Sequence, residues 1–556
     1  MPSRQSVRGT PADLAVILRD VGALLLMEAA LMTVTTLVAL AFREWYVALA
    51  FLAAGGLTAG VGYAARTRFA DAPAPRTKHG MVIAAAGWFS VAVFGALPLL
   101  FSAHLVPPDL AARYVPAGAD YGRSSLFVFR NPLHALFESM SGWTGSGLTM
   151  AVHEPSLPRA VQWWRSLMQW VGGVGVIVLT VSILARPGSG SYTLYRSEAR
   201  EEKIHPSVIS TVRTVWKIFL LYTVIAVALL FVAILTSTSP YARELSTFEA
   251  FWQALNHAMT GLSTGGFSVT DNSIETYNSP LIEFVLLPIM TLGAIAFPIH
   301  YLVLRDRDPG ELFADLQTRW LFILYALGVV GLSAQLLLVG LPGGGYGAVA
   351  PALGVLPLQA GGLSTAQLDA VRDAAFQFVS ALSCTGFQSS PIGDWNAGGK
   401  LILSTAMVLG GAAGSTVGGI KIIRGYTVSR GIVWQFSRVF LPANAVVTAR
   451  IGDRTLSRTE MEREFSEAAI VSLLWVILLI ASSLVLVNAV GPGFGYADAL
   501  FEVASAQGNV GLSTGITGPS MNPFAEAMFV LNMWIGRLEI IPVLVFLRSA
   551  IKGLNP

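Results

Sequence analysis

The sequence predicts an all-α integral membrane protein. An N-terminal two-helix hairpin is followed by four pseudo-fourfold repeats of span, short helix, loop and span, with ten transmembrane helices in all. Composition is the first observation behind this. Of 556 residues, 54% are hydrophobic and 12% charged, and the mean hydropathy is +0.62. A soluble domain carries about 25% charged residues, so this chain has too little charge to cover a water-facing surface. An internal repeat is the second. A polar loop after a short apolar helix recurs at 138–150, 256–269, 379–389 and 503–514. In each copy a glycine precedes a large apolar residue: Gly147–Leu148, Gly266–Phe267, Gly386–Phe387 and Gly511–Leu512. These glycines lie 119, 120 and 125 residues apart, and so regular a step is read before anything else. Third, the helices before the loops are about ten residues long, where a crossing takes about 20.

In order, the hairpin spans 21–42, which contains Glu28, and 45–65. The first repeat has spans near 81–103 and 168–184 around a short helix at 133–143. The second has spans near 218–236 and 284–304 around 248–262. The third has 320–341, a short helix at 370–382, and an interrupted span from 401 to 428. The fourth has 468–491, a short helix at 499–507, and a last span from 522 to 546. Domain limits follow at 1–70 for the hairpin and 71–200, 201–310, 311–435 and 436–556 for the repeats. Irregular backbone at membrane depth survives only where protein or a water-filled cavity surrounds it, so each short helix and loop is expected to enter and return on one side. All four units then share an orientation, which permits a ring.

Basic residues orient that ring. One side, made of 1–19, 66–80, 186–217, 305–319, 421–466 and the C-terminal tail, carries 26 of the 36 Lys and Arg; the other carries nine, and Arg537 falls within a span. Cytoplasmic loops are the basic ones, which places both termini in the cytoplasm and the loops outside. The net charge of +3 suggests no nucleic acid. A single cysteine, Cys384, excludes an internal disulfide and a cysteine-built metal site. The N-terminus lacks a cleavable signal pattern, so the first apolar run is read as a retained helix.

The loops are candidate ligands for a dehydrated potassium ion. Rings of backbone carbonyls can replace its hydration shell, and glycine tolerates the conformations this requires. The linings are Thr144, Gly145, Ser146 and Gly147; Ser263, Thr264, Gly265 and Gly266; Ser383, Cys384, Thr385 and Gly386; and Gly508, Asn509, Val510 and Gly511. Each short helix would aim its negative C-terminal end at the ion path. Glu154, Asp271 and Asp394 follow three of the loops and are read as an outer funnel for cations, or as ordinary solvated loop charge. G-x-S-x-G occurs at 261–265 and 511–515. It marks a nucleophilic serine only on a strand-to-helix elbow with a histidine partner, and neither is in view here.

Two further features lie on the proposed cytoplasmic side. Gly410, Gly411, Gly414, Gly418 and Gly419 crowd one stretch that ends at Lys421. Each costs a helix about 1 kcal/mol relative to alanine, which predicts a break that could gate the path; close helix packing through small residues is the other reading. Arg537 sits among apolar residues. A charge at that depth is usually functional: an electrostatic barrier, a partner of Glu539, or an arginine reaching for the membrane surface.

FESMSGWTGSG, WWRSLMQWVGGVGVIVL, ALNHAMTGLSTGGFSVTDNSI, FQFVSALSCTGFQSS, GGAAGSTVGGIKIIR and MWIGRLEIIPVLVF occur in this order. In them the chain resembles the Trk/Ktr/HKT potassium transporter superfamily, specifically the bacterial TrkH type of potassium uptake protein. The resemblance covers most of 15–550 and implies filter glycines at 147, 266, 386 and 511. It implies that the glycine-rich segment is an intramembrane gating loop and that Arg537 lies under the filter. It also implies a homodimer in the bacterial inner membrane, with cytoplasmic regulatory subunits of the TrkA kind that bind a nucleotide, NAD or ATP/ADP. This chain is expected to bind no cofactor beyond potassium. The sequence departs from the family at Gly145, Ser146 and Cys384, where threonines are usual, while Gly147 stands where some members carry serine and admit sodium. The rival readings are the potassium-translocating subunit of a Kdp-type pump, whose filter signatures are missing, a membrane serine hydrolase, and a secondary transporter of inverted repeats.

Overall fold

The computed structural model describes residues 11–179, 208–339, 365–440, 449–452 and 454–553. The end of the span expected to reach 184, most of the basic segment 186–217 and most of the insertion 341–368 lie outside these residues.

The N-terminal hairpin packs Pro11–Ala41 against Trp45–Arg68. Gly22 and Gly62 face each other where the helices cross; a methyl on either would lie within 2.9 Å of the other's carbonyl oxygen, and small residues permit such close backbone approach. Glu44, in the turn, accepts from the backbone N–H of Arg159 (2.6 Å) and Ala160 (3.0 Å). It thus caps Arg159–Leu179, where a negative charge is favourable, and so docks the hairpin onto the first repeat.

Among the described residues six helices are long and apolar enough to cross a membrane, and up to eight if each of two bent pairs counts once. They expose apolar side chains, such as Leu220, Val224 and Val232 on Val208–Thr236 and Leu327 and Val330 on Leu316–Val339, as a lipid-facing surface would. The four short helices are Pro132–Thr144, Thr247–Leu262, Thr365–Leu382 and Tyr496–Gly508. The third starts five residues before the expected position. Arg159–Leu179 starts nine residues before the expected span, and Arg458–Ala489 starts ten before.

Two expected spans are broken. Pro280–Ala294 and Phe297–Asp306 meet at 105°, and Pro523–Leu538 and Ile540–Lys552 at 115°. Pro298 and Pro542 stand in the first turns of the second halves. A proline has no N–H to give a carbonyl of the preceding turn, so it suits the start of a helix and not its interior. At the first break Ile295 and Ala296 are extended; at the second Glu539 adopts φ +61°. The glycine-rich stretch is also non-helical, lying between Ala397–Val408 and Ile422–Val439. A small antiparallel strand pair, Ala449–Ile451 with Arg454–Leu456, turns at Gly452; the apolar patterning carried no sign of it.

Candidate functional site

All four loops leave their helices through the same turn. The N–H groups of Gly145, Thr264, Cys384 and Asn509 reach the carbonyls of Gly142, Gly261, Ala381 and Ala506 at 3.2–3.3 Å. The next N–H groups, of Ser146, Gly265, Thr385 and Val510, reach Ser141, Thr260, Ser380 and Ser505 at 2.8–2.9 Å. This pair of bonds is a Schellman cap, whose first residue outside the helix is left-handed. Gly145 (φ +68°), Thr264 (+53°), Cys384 (+52°) and Asn509 (+54°) all are. Gly145, where the family expects threonine, therefore sits where glycine is unstrained. Thr264 is a β-branched residue in a conformation such residues rarely adopt, and its hydroxyl is held by Thr416 at 2.8 Å.

Two residues further on, Gly147, Gly266, Gly386 and Gly511 again have positive φ, between +74° and +107°. Each is pressed against the next loop. A methyl on Gly147 would strike the Gly265 carbonyl, on Gly266 the Thr385 carbonyl, on Gly386 the Val510 carbonyl, and on Gly511 the Ser146 carbonyl at 2.7 Å. In every case the oxygen belongs to the residue before the neighbouring glycine, so the four loops touch in the cyclic order one, two, three, four, one. Three of the loop hydroxyls bond back to their own helices: Thr144 donates to Met140 (2.7 Å), and Ser263 and Ser383 donate to Thr260 and Ser380 (3.3 Å each).

The sequence reading missed the braces. At nine residues before each glycine stands a buried polar residue: Glu138, His257, Gln377 and Glu502. Each ties the far side of its own loop, to Thr149 and Met150 N–H, to Ser268, to Ser389, and to Ser513, Ile516 and Thr517 N–H respectively. Their spacing repeats with that of the glycines, which was the signal available. Arg165 pairs with Glu138 at 2.6 Å and donates to the Ser268 carbonyl and to Thr149 Oγ1, joining loops one and two. Gln169 donates to the Gly265 carbonyl (2.6 Å) and accepts from the Phe267 N–H (2.9 Å). Gly265 therefore offers only its second lone pair to any ligand.

The glycine-rich segment is a loop closed at its neck, where Gly410 N–H donates to Ile420 (2.8 Å) and Ile420 N–H to Val408 (2.9 Å). Gly414 and Gly419 are left-handed. The loop satisfies the carbonyls freed by the first helix break. Ala412 N–H reaches Ala294 and Thr416 N–H reaches Gly293, while Phe297 N–H reaches Gly414. Beyond Thr264–Thr416, a methyl on Gly418 would strike the Gly508 carbonyl. The loop thus abuts loops two and four. Lys421 folds back on it, Nζ to Val417 O at 2.5 Å.

Arg537 is buried beside this loop. Nη1 donates to Thr416 O and Nη2 to Gly172 O (3.0 Å), and a methyl on Gly145 would lie 3.8 Å from Nη1. It does not pair with Glu539, one of the expected alternatives; Glu539 instead binds Arg424 at 3.0 Å, because its left-handed backbone at the break turns it from Arg537's helix. Of the expected funnel acids, Asp394 is exposed and Asp271 half-buried, with its carboxyl raised above the usual range by burial. Glu154 is 8% exposed, and burial raises it to about 8 against the pull of Arg165, so it is mostly neutral at pH 7. The hydrolase motif is inert: Ser263 donates to Thr260, and His257 is engaged by Ser268 and Tyr277.

Apolar helices surrounding a closed ring of polar loops, with a second loop beneath, define a membrane transport protein. Residues 79–552 match the model of the TrkH family, cation transport proteins; the chain belongs to that family, which is one of transporters and not of enzymes. It is 31% identical over 472 residues to an uncharacterized cation transporter of Methanocaldococcus jannaschii, covering 85% of this chain and 82% of that one. It is 28% identical to the Trk system potassium uptake protein TrkH of Halomonas elongata, covering 97% and 99%, and 27% identical to that of Escherichia coli K12, covering 84% and 85%. The fold is that of the crystal structure of the potassium transporter TrkH from Vibrio parahaemolyticus, with TM-score 0.74 at 23% identity over 96% and 98% of the two chains. The Kdp-type and hydrolase readings fall with the family assignment.

Proposed function

We propose that the chain takes up potassium across a bacterial inner membrane by channel-like conduction through the ring of four loops. Ten crossings, two in the hairpin and eight in the four repeats, with the basic loops on the cytoplasmic side, leave the ring outside and both termini in the cytoplasm. The observation that carries this is the cyclic contact of four loops with matched left-handed residues. It leaves main-chain oxygens around one centre, the arrangement that replaces a hydration shell. The potassium uptake proteins of Halomonas elongata and Escherichia coli among its relatives support the choice of ion. The glycine-rich loop below gates the path, with Arg537 as the charge that holds it. Two chains associate above nucleotide-binding regulatory subunits, which carry the nucleotide. The test is growth of a potassium-uptake-deficient bacterium at low potassium, with and without candidate cytoplasmic subunits; no rescue in either case would overturn the reading.

The outer acids then have a pH signature. Glu154 is neutral below about pH 8 and negative above it, so cation attraction at the mouth rises as pH climbs through that value. The apparent KM for potassium is expected to fall about twofold between pH 7 and 9, the effect of one unit charge about 10 Å away in water. In Glu154→Gln this component should vanish, and a KM profile unchanged by the substitution would remove Glu154 from the mouth.

A further inference from the structure

Three ion pairs and one histidine–carboxylate hydrogen bond join the first turn of the helix that follows each loop to the early turns of the next short helix. Arg159 meets Glu249; Glu283 meets Arg372 at 2.8 Å; Lys400 meets Asp498 at 2.6 Å; and Glu526 meets His134 at 2.8 Å. They run in the same cyclic order as the loops, one at each seam between repeats. At three seams the chain itself continues from one repeat into the next. The seam between the fourth repeat and the first has no such connection, and there the pair is buried: Glu526 is fully shielded and the His134 side chain is 11% exposed.

The chemistry of this last pair differs from the others. Asn131 caps Pro132–Thr144 by accepting from the Leu133 N–H through Oδ1 (3.0 Å), which turns its amide nitrogen toward His134 Nε2 at 3.1 Å. Nε2 is therefore the acceptor, and Nδ1–H donates to Glu526. The helix cap thus sets the tautomer, and the contact needs no charge on the imidazole. Glu526 Oε2 is buried with no partner among the described residues, so none of them replaces the contact if His134 is removed. Deeper along the seam, Trp534 Nε1 donates to Ala85 (3.0 Å), and Gly511 lies against Ser146.

We propose that His134 and Glu526 form the clasp that keeps this seam shut, holding loops one and four at the spacing that discriminates potassium from sodium. The two are positioning residues and touch no ion, and the proposal rests on the filter reading above. The experiment measures potassium and sodium uptake by the full chain in the deficient bacterium. Glu526→Leu is expected to lower the potassium-over-sodium ratio about tenfold, within the range that substitutions along a coupled network produce, while total cation flux stays within about twofold. Glu526→Gln keeps an acceptor for Nδ1–H and is expected to retain the ratio. The paired change His134→Phe with Glu526→Leu leaves no buried charge and should match Glu526→Leu rather than add to it; it also serves if the single variant does not accumulate. A wild-type ratio in Glu526→Leu or in the paired variant, or equal damage from Gln and Leu, overturns the clasp alone. A wild-type chain that carries no potassium overturns the filter reading and the clasp with it.

Discussion

Serine in place of Gly266 is expected to abolish most of the preference for potassium over sodium. Two costs coincide there. At φ +74° any Cβ is strained by about 1–2 kcal/mol. That Cβ would also overlap the Thr385 carbonyl and come within 3.0 Å of the Gly386 carbonyl carbon. Neither neighbour can yield as a flexible side chain would, because both atoms are backbone of the third loop. The third loop must move, and its carbonyls move with it. Since about 1.4 kcal/mol is a tenfold change, the ratio of potassium to sodium uptake should drop at least about tenfold. Gly145→Thr provides the contrast. Its φ is +68°, but the nearest atoms to its Cβ are 3.8 Å away, and Thr264 shows that a threonine can be held at the matching position. It should therefore cost less than Gly266→Ser. If the two variants have equal ratios, contact between loops is not what sets selectivity.

That contrast was half legible beforehand. The step between glycines marks the four positive-φ glycines at which the loops touch, and the crowding of glycines from Gly410 to Gly419 marks a break, because both signals lie in residue type along the chain. What was not legible depends on partners distant in sequence. Gln169 and Gly265 are 96 residues apart, and His134 and Glu526 are 392 apart. No local pattern distinguishes Glu526 from any acid in a first helical turn. The two bends were missed for another reason. A hydropathy window averages over about one span, so it runs through both breaks, even with Arg537 and Glu539 beside the second, although the prolines were in view. The pairing of Arg537 with Glu539, one of the alternatives, is not made: the helix ends at Leu538, Glu539 binds Arg424, and Arg537 is left to the carbonyls of Thr416 and Gly172.

Those carbonyls set the second large effect. Arg537→Ala is expected to raise potassium uptake about tenfold or more. Two consequences of the substitution act in one direction. A fixed positive charge beneath the ring repels an arriving cation by about 4 kcal/mol at 4 Å with an effective dielectric constant of about 20. The guanidinium also bridges the glycine-rich loop, at Thr416, to the helix Arg159–Leu179, at Gly172 and Gly173. Without it the loop keeps its neck and its bonds to Ala294 and Gly293 but loses its tie to the first repeat. Arg537→Lys separates the two causes. Lysine keeps the charge but has no planar fork to reach both sets of carbonyls. If charge dominates, Lys should stay near the wild-type rate; if the bridge dominates, Lys should leak as Ala does. Unitary currents through protein in planar bilayers distinguish the cases, since loss of the barrier raises the conductance of each opening and loss of the bridge raises the open probability. Wild-type currents in Arg537→Ala would remove the residue from the conduction path altogether.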